Sequence, residues 1–171
     1  MRFPAAAAVL LPLALGCDGG LQPGITPASC TVGICGVVHL RGAVPDSTDY
    51  VRVVVYQAVP DSLDHLTSFA GVSDPLPLGP DSARYTCCVT PLPPGAYAWV
   101  LVVWKKLGVL DANSAPSLLM AAGSYLDPAD TTKPGVVTVP ASGGAGGVNI
   151  VADFGQLQSI GAFFPPAART R

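Results

Sequence analysis

Residues 97–105 read Tyr-Ala-Trp-Val-Leu-Val-Val-Trp-Lys, and this stretch decides the fold class. It is long, β-branched and aromatic, and it is apolar on both faces, which predicts a central β-strand. A second stretch, residues 50–57, alternates valines with Arg52, as a half-buried strand does. The period of two predicts that both strands line one shared core, with these members: Val51, Val53, Val55, Val100, Val102 and Trp104.

The rest of the chain favours further short strands. Charged residues make up only 12% of the 171 residues, whereas 19 glycines and 18 prolines punctuate them, and this balance is typical of strands joined by tight loops. Six more segments match strand patterns: residues 34–41, 66–70, 84–90, 117–125, 136–139 and 148–154. We therefore expect an all-β fold, a sandwich of seven or eight strands of antiparallel type.

The first seventeen residues carry a different signal, because a basic residue, Arg2, precedes a short apolar run that ends Leu13-Ala-Leu-Gly-Cys17. A spanning helix needs about 20 apolar residues, and Pro12 interrupts this shorter run. The segment resembles a bacterial lipoprotein signal peptide, which implies cleavage before Cys17 and lipid on its thiol. Plain secretion, with cleavage after an A-x-A-like site, is the alternative.

These signals divide the chain into four segments. Residues 1–16 form the predicted signal peptide, 17–29 a flexible tether rich in glycine and proline, 30–156 the folded domain and 157–171 a disordered tail. The predicted location is the bacterial cell envelope, with the membrane as a partner through lipid on Cys17. Asp18 resembles the residue that retains lipoproteins in the inner membrane of enteric bacteria, but the choice between inner and outer membrane stays open.

The domain also resembles a known family. A Gly-flanked opening strand (residues 36–42), a Leu92-Pro-Pro-Gly-Ala-Tyr97 turn before the long apolar strand, and a closing Val148-Asn-Ile-Val-Ala-Asp153 are similar to the transthyretin-like or carboxypeptidase-regulatory-like domains of secreted bacterial proteins. The resemblance covers residues 34–154. It implies an immunoglobulin-like sandwich that acts as an accessory, binding or spacer module and is not usually catalytic.

Four cysteines remain beside Cys17, namely Cys30, Cys35, Cys87 and Cys88. An even number in an exported domain indicates disulfides, and four cysteines allow three connectivities. The transthyretin-like topology places the first and fourth strands side by side, and alternation then turns Cys35 and Cys88 outward, so the resemblance implies a Cys35–Cys88 bond. A local Cys30–Cys35 bond is the chief alternative, and a Cys87–Cys88 bond is expected to strain the strand.

Two tryptophans suggest a binding surface. Trp99 and Trp104 are five residues apart on one strand, so they point to opposite faces. With Trp104 in the core, Trp99 and neighbouring Tyr97 are the candidates for an outer aromatic face that binds carbohydrate or peptide. The alternative is that this second face is covered too.

No motif indicates catalysis. His39 and His65 lack metal-ligand spacing, no G-x-S-x-G occurs, and no basic patch indicates nucleic acid. We therefore expect no enzyme activity, metal or cofactor. The predicted function is a non-enzymatic binding, scaffolding or structural module whose partner is an envelope protein or glycan, and a hydrolase with a site built across loops is the remote alternative.

Overall fold

The computed structural model of the protein describes residues 30–61, 64–88, 91–111 and 113–160, and this part of the chain is all-β. The predicted signal peptide, Cys17 and the tether up to residue 29 lie outside the described residues, as does the chain beyond residue 160. The described strands are β1 (Ile34–Arg41), β2 (Thr48–Tyr56), β3 (Gly71–Val72), β4 (Ser82–Cys87), β5 (Gly95–Tyr97), β6 (Trp99–Lys106), β7 (Leu119–Ser124), β8 (Leu126–Asp127), β9 (Asp130–Pro134), β10 (Val137–Val139), β11 (Ile150–Asp153) and β12 (Gln158–Ser159).

Two sheets contain most of these strands. One has the order β11-β1-β4 and the other the order β12-β7-β6-β2-β3, while β10 pairs with β5 and β8 with β9. All ladders are antiparallel except the parallel pairing of β1 with β11. The predicted neighbours, the strand at 34–41 and the strand that contains Tyr85, do pair antiparallel as β1 and β4.

The predicted core is confirmed. Residues of both larger sheets form one apolar cluster, and it contains all six side chains that period-two alternation placed together: Val51, Val53, Val55, Val100, Val102 and Trp104. A smaller cluster covers the other face of β6 and includes Tyr56, Leu66, Trp99, Leu101, Val103, Ala121 and Ile160. The central strand β6 is therefore buried on both sides, as its uninterrupted apolar sequence predicts.

The strand predicted at residues 97–105 divides at Ala98. The part before Ala98, β5, pairs with β10, and the part after it, β6, pairs with β2 and β7. One apolar run of sequence thus contributes strands to two sheets. Such divisions also raise the number of described strands above the seven or eight expected, because several strands contain only two or three residues.

Three weaker predictions were wrong in detail. The strand expected at 66–70 is replaced by a 3-10 helix, Asp64–Thr67, before the two-residue β3. The strand expected at 117–125 begins later, since a helical turn, α1 (Ala115–Leu118), precedes β7 and carries a proline in its first turn, where proline is favoured. Between the strands expected at 117–125 and 136–139, the structure adds the paired strands β8 and β9.

The predicted tail boundary also lies too early. Residues 157–160 continue the fold, because Gln158 and Ser159 pair with β7 and the Ile160 side chain is buried in the smaller cluster. A short polar segment such as Gln-Leu-Gln-Ser carries little strand signal of its own, and its pairing is decided by the sheet edge that it meets.

Candidate functional site

The described cysteines form two local disulfides. Cys30 bonds to Cys35 with a Cα–Cα distance of 5.6 Å, and Cys87 bonds to its neighbour Cys88 with a Cα–Cα distance of 3.0 Å. The peptide bond between Cys87 and Cys88 is cis. All four cysteines of the described residues are therefore paired with each other, and the pairing that the resemblance implied, Cys35 with Cys88, does not occur.

The strand end explains why that pairing fails. Within β4, alternation holds as expected, because Cys87 is opposite Ile34 and both are buried, while Cys35 is opposite Thr86. The strand ends at Cys87, so alternation does not extend to Cys88. The Cys88 side chain is buried instead, and a Cβ added to Gly71 would overlap its Sγ. Cys35, turned away from it, bonds to Cys30 at the entrance to β1.

The predicted outer aromatic face is not exposed. Tyr97 and Trp99 are only 0% and 1% exposed. Tyr97 belongs to the larger cluster and donates its hydroxyl proton to the Pro93 carbonyl at 2.7 Å, while Trp99 packs against Tyr56 with ring centroids 5.5 Å apart. The alternative, that the second face of the strand is covered too, is the one found.

A groove of 580 Å³ lies beside Trp99 at the edge of the larger sheet. Sequence reasoning missed it because it combines residues that are distant in the chain, and none of its lining side chains is charged. Its lining is Trp99, Ala121, Ala122, Gly123, Ser124, Leu126, Thr132, Pro134, Asn149, Val151, Gln156 and Gln158. The volume falls within the range of small-molecule sites, and the uncharged lining favours a neutral ligand over an ionic one.

The histidines lie away from this groove. His39 is exposed on β1, and His65 is exposed beside the Asp61 carboxylate, with Nδ1 and Oδ1 2.6 Å apart. Both partners of that second pair have more than half of their side-chain surface exposed. A histidine beside a carboxylate can serve acid/base chemistry, but neither His65 nor Asp61 lines the groove beside Trp99. Among the described residues, no three His, Cys, Asp or Glu side chains cluster as metal ligands would.

A buried lysine organises the opposite end of β6. Lys105 is 4% exposed, and its Nζ donates to Asp49 Oδ2 at 2.5 Å and to the carbonyls of Gly108 at 2.8 Å and Lys106 at 3.2 Å. A buried ammonium requires such partners. The sequence carries one signal for it, a charge at the end of an otherwise apolar strand.

The loop that follows this lysine is apolar and held outward. Leu107, Val109 and Leu110 are 58%, 84% and 42% exposed. Lys105 fixes the Gly108 carbonyl, and the Ser114 hydroxyl donates to the Val109 carbonyl at 2.9 Å. The loop is thus braced by hydrogen bonds from its base while its apolar side chains face away from the core.

The carboxylate that follows the loop in the sequence, Asp111, turns back toward the base of the same loop. Asp111 Oδ1 accepts backbone N–H bonds from Asn113 and Ser114, each at 2.8 Å. Those bonds, that of Ser114 first, lower the pKa of the Asp111 carboxyl below its ordinary value. The loop tip itself, residues 107–110, contains no charged side chain.

Comparison with known proteins adds no relative: no protein-family model, no curated protein and no solved structure matches this chain. Among the described residues, no helix has the length and apolar character needed to cross a membrane.

Proposed function

We propose that this chain is a lipid-anchored protein of the bacterial cell envelope, and that its domain is a β-sandwich of transthyretin-like type acting as a non-enzymatic binding or scaffolding module. The cysteine count carries the proposal. The sequence has five cysteines, and the two disulfides use four of them. The fifth, Cys17, stands where a lipoprotein signal peptide is cleaved and its cysteine acylated.

Two further observations support the same location. Disulfides persist in oxidising compartments outside the cytosol, and both described pairs fit an exported domain. An odd cysteine in a secreted protein otherwise indicates an intermolecular bond or a free thiol. Acylation accounts for Cys17 without an intermolecular bond and without a free thiol.

The sandwich assignment is supported by the shared core. The three-stranded and five-stranded sheets both contribute to the larger cluster, with Val38 and Ile150 from one and Val53 and Val102 from the other. The antiparallel neighbours β1 and β4 match the arrangement that the transthyretin-like resemblance implies.

Fractionation tests the anchor directly. The full chain expressed in a bacterial host should partition with membranes, and Cys17→Ser should move it to the soluble or unprocessed pool. The double variant Cys30→Ser/Cys35→Ser is the matched control, because it also removes cysteines but leaves Cys17 in place, and it should stay with membranes. A Cys17→Ser chain that partitions with membranes unchanged would contradict the proposal.

The groove favours a second, compatible function, in which the module binds a neutral carbohydrate. Its polar side chains Thr132, Asn149, Gln156 and Gln158 can hydrogen-bond hydroxyl groups, and its lining offers no charge to attract an ionic ligand. Screening the chain against a glycan array tests this idea. Thr132→Trp, which would fill the groove from an exposed position, should abolish any binding that wild type shows, and binding that survives the substitution would place the ligand elsewhere.

A further inference from the structure

We propose that the loop 107–110 is a second membrane contact, which inserts Leu107, Val109 and Leu110 into the bilayer that holds the lipid on Cys17. The inference rests on the proposed anchor, since that anchor keeps the domain within reach of a membrane. The loop presents three exposed apolar side chains within four consecutive residues. Contiguous exposed apolar surface marks interaction sites.

The bracing of the loop supports insertion. A loose apolar loop would reduce its exposure by folding against the domain. Here the Gly108 carbonyl accepts from the buried Lys105 ammonium and the Val109 carbonyl accepts from the Ser114 hydroxyl. These bonds hold the backbone in place, so little further ordering is needed when the side chains enter an apolar phase.

The length of chain before the domain permits both contacts at once. Cys30 lies four residues before β1, whereas the loop lies toward the other end of that strand, because Leu107 donates its N–H to the carbonyl of Ser47, in the segment that joins β1 to β2. The eight residues of β1 extend about 26 Å. Cys17 and Cys30 are thirteen Cα-to-Cα steps apart (30 − 17), and an extended chain of that length reaches at most about 45 Å.

The charge around the loop selects the kind of membrane contact. The tip is uncharged, and Asp111 is turned back toward the base of the loop. Exposed Lys106 on one side is balanced by ionised Asp111 on the other. The contact is therefore apolar, and it should depend little on the fraction of anionic lipid, unlike contacts made by polybasic segments.

Fluorescence quenching tests the contact in the full chain. Val109→Trp places a tryptophan at the loop tip. The native Trp99 and Trp104 are 1% and 4% exposed, so they add a constant emission that brominated lipid should not quench. The control is Val136→Trp, at a site that is 61% exposed and lies before β10, near the other end of β6. Each variant is studied with its native Cys17, reconstituted in vesicles of brominated phosphatidylcholine, and again with Cys17→Ser, added to the same vesicles at high lipid concentration.

We expect the tryptophan introduced at position 109 to be quenched and blue-shifted in both arms, and the one at 136 to be unaffected. Adding anionic lipid should not change this result. Flotation at a lipid concentration too low for the loop alone to hold the chain reports the anchor separately, and equal flotation there with and without Cys17 would show that the anchor is absent. Absence of quenching at position 109 in both arms overturns the loop contact.

A substitution that removes apolar surface gives a second measurement. Val109→Ser in the Cys17→Ser chain should lower partitioning onto phosphatidylcholine vesicles by roughly tenfold, because one aliphatic side chain no longer leaves water. Val136→Ser should leave partitioning unchanged. Equal partitioning of the two variants would overturn the proposal, and since both sites are exposed, circular dichroism should show both to be folded.

Discussion

Val53 lies directly opposite Val102 in the pairing of β2 with β6, and both side chains are fully buried. The pairs on either side of it on the same face, Val51 with Trp104 and Val55 with Val100, are also buried. Cross-strand pairs of this kind are the units of sheet stability. The centre of the fold is therefore a three-pair apolar ladder between β2 and β6.

Val53→Asp should unfold the domain. The substitution places an unpaired carboxylate in the apolar ladder. An isolated buried charge costs more than about 5 kcal/mol, which is comparable to the whole stability of a small domain. Val53→Ala should remain folded and lose about 2 kcal/mol. Denaturant titration followed by circular dichroism measures both, with exposed Val136→Asp as the control. A folded Val53→Asp chain of unchanged stability would remove Val53 from the core.

Asp49→Asn should destabilise the domain by about 1–3 kcal/mol. It leaves the buried Lys105 ammonium without its only carboxylate partner among the described residues, although Asp49 itself is 41% exposed, which reduces the effect. The matched control is Asp130→Asn, whose partner Lys133 is exposed, and it should leave the stability nearly unchanged. Equal losses for the two variants would show that Lys105 does not depend on Asp49.

Tryptic mapping without reduction should find both disulfides inside single peptides. Trypsin cuts after Arg41, Arg84 and Lys105, so Cys30 and Cys35 fall in one peptide and Cys87 and Cys88 in another, residues 85–105. Each peptide should be lighter by two hydrogens than its reduced form. A cross-linked species that joins the two peptides would indicate a bond between the two cysteine pairs, such as Cys35–Cys88, and would contradict the structure.

Removing the Cys30–Cys35 bond should have a modest effect. The bond closes a loop of only six residues, for which the chain-entropy relation gives about 2 kcal/mol. The variant Cys30→Ser/Cys35→Ser should therefore stay folded at 25 °C with a lowered denaturation midpoint. Loss of the native circular dichroism spectrum would show that the bond contributes far more than loop closure.

Stability should fall in alkali between about pH 10 and pH 12. Burial raises the pKa of Tyr56, whose hydroxyl donates to the Leu66 carbonyl at 2.7 Å, from 10.0 to about 12. Above pH 10 the unfolded chain therefore loses this proton before the folded chain does, which favours unfolding until both forms are deprotonated. The raised pKa of Tyr85, due first to burial and then to Tyr125, acts in the same direction.

Denaturation midpoints across this pH range measure the effect. Tyr56→Phe removes one titrating group, so its midpoint should fall less steeply with pH than that of wild type, from a lower starting value because the hydrogen bond to Leu66 is lost. The same slope in both proteins would contradict the role of Tyr56.

The sequence predicted the strands in which periodicity and burial agree. The bounds of β1 match the prediction at both ends, and the core positions of β2 and β6 follow from alternation alone. Prediction failed where contacts with residues distant in the sequence decide the local structure. Gln158 pairs with β7 without a strand pattern of its own, and Cys88 turns inward because β4 ends one residue before it.

The candidate sites were harder to predict for the same reason. Trp99 was predicted to lie on a ligand-binding face because alternation gives the face of the strand on which a side chain lies. Alternation does not reveal that Tyr56 and Ile160 cover that face. At the base of the loop 107–110, Lys105 donates a hydrogen bond to Asp49, which lies 56 residues earlier in the chain. The pairing of β2 with β6 creates this contact.

The mass of the N-terminal tryptic peptide, taken from protein purified from membranes, tests the central proposal most directly. The account predicts a peptide that begins at Cys17, ends at Arg41, and carries acyl chains on Cys17 in addition to its internal disulfide. A peptide that begins elsewhere, or one that begins at Cys17 with no lipid, would contradict the lipid anchor.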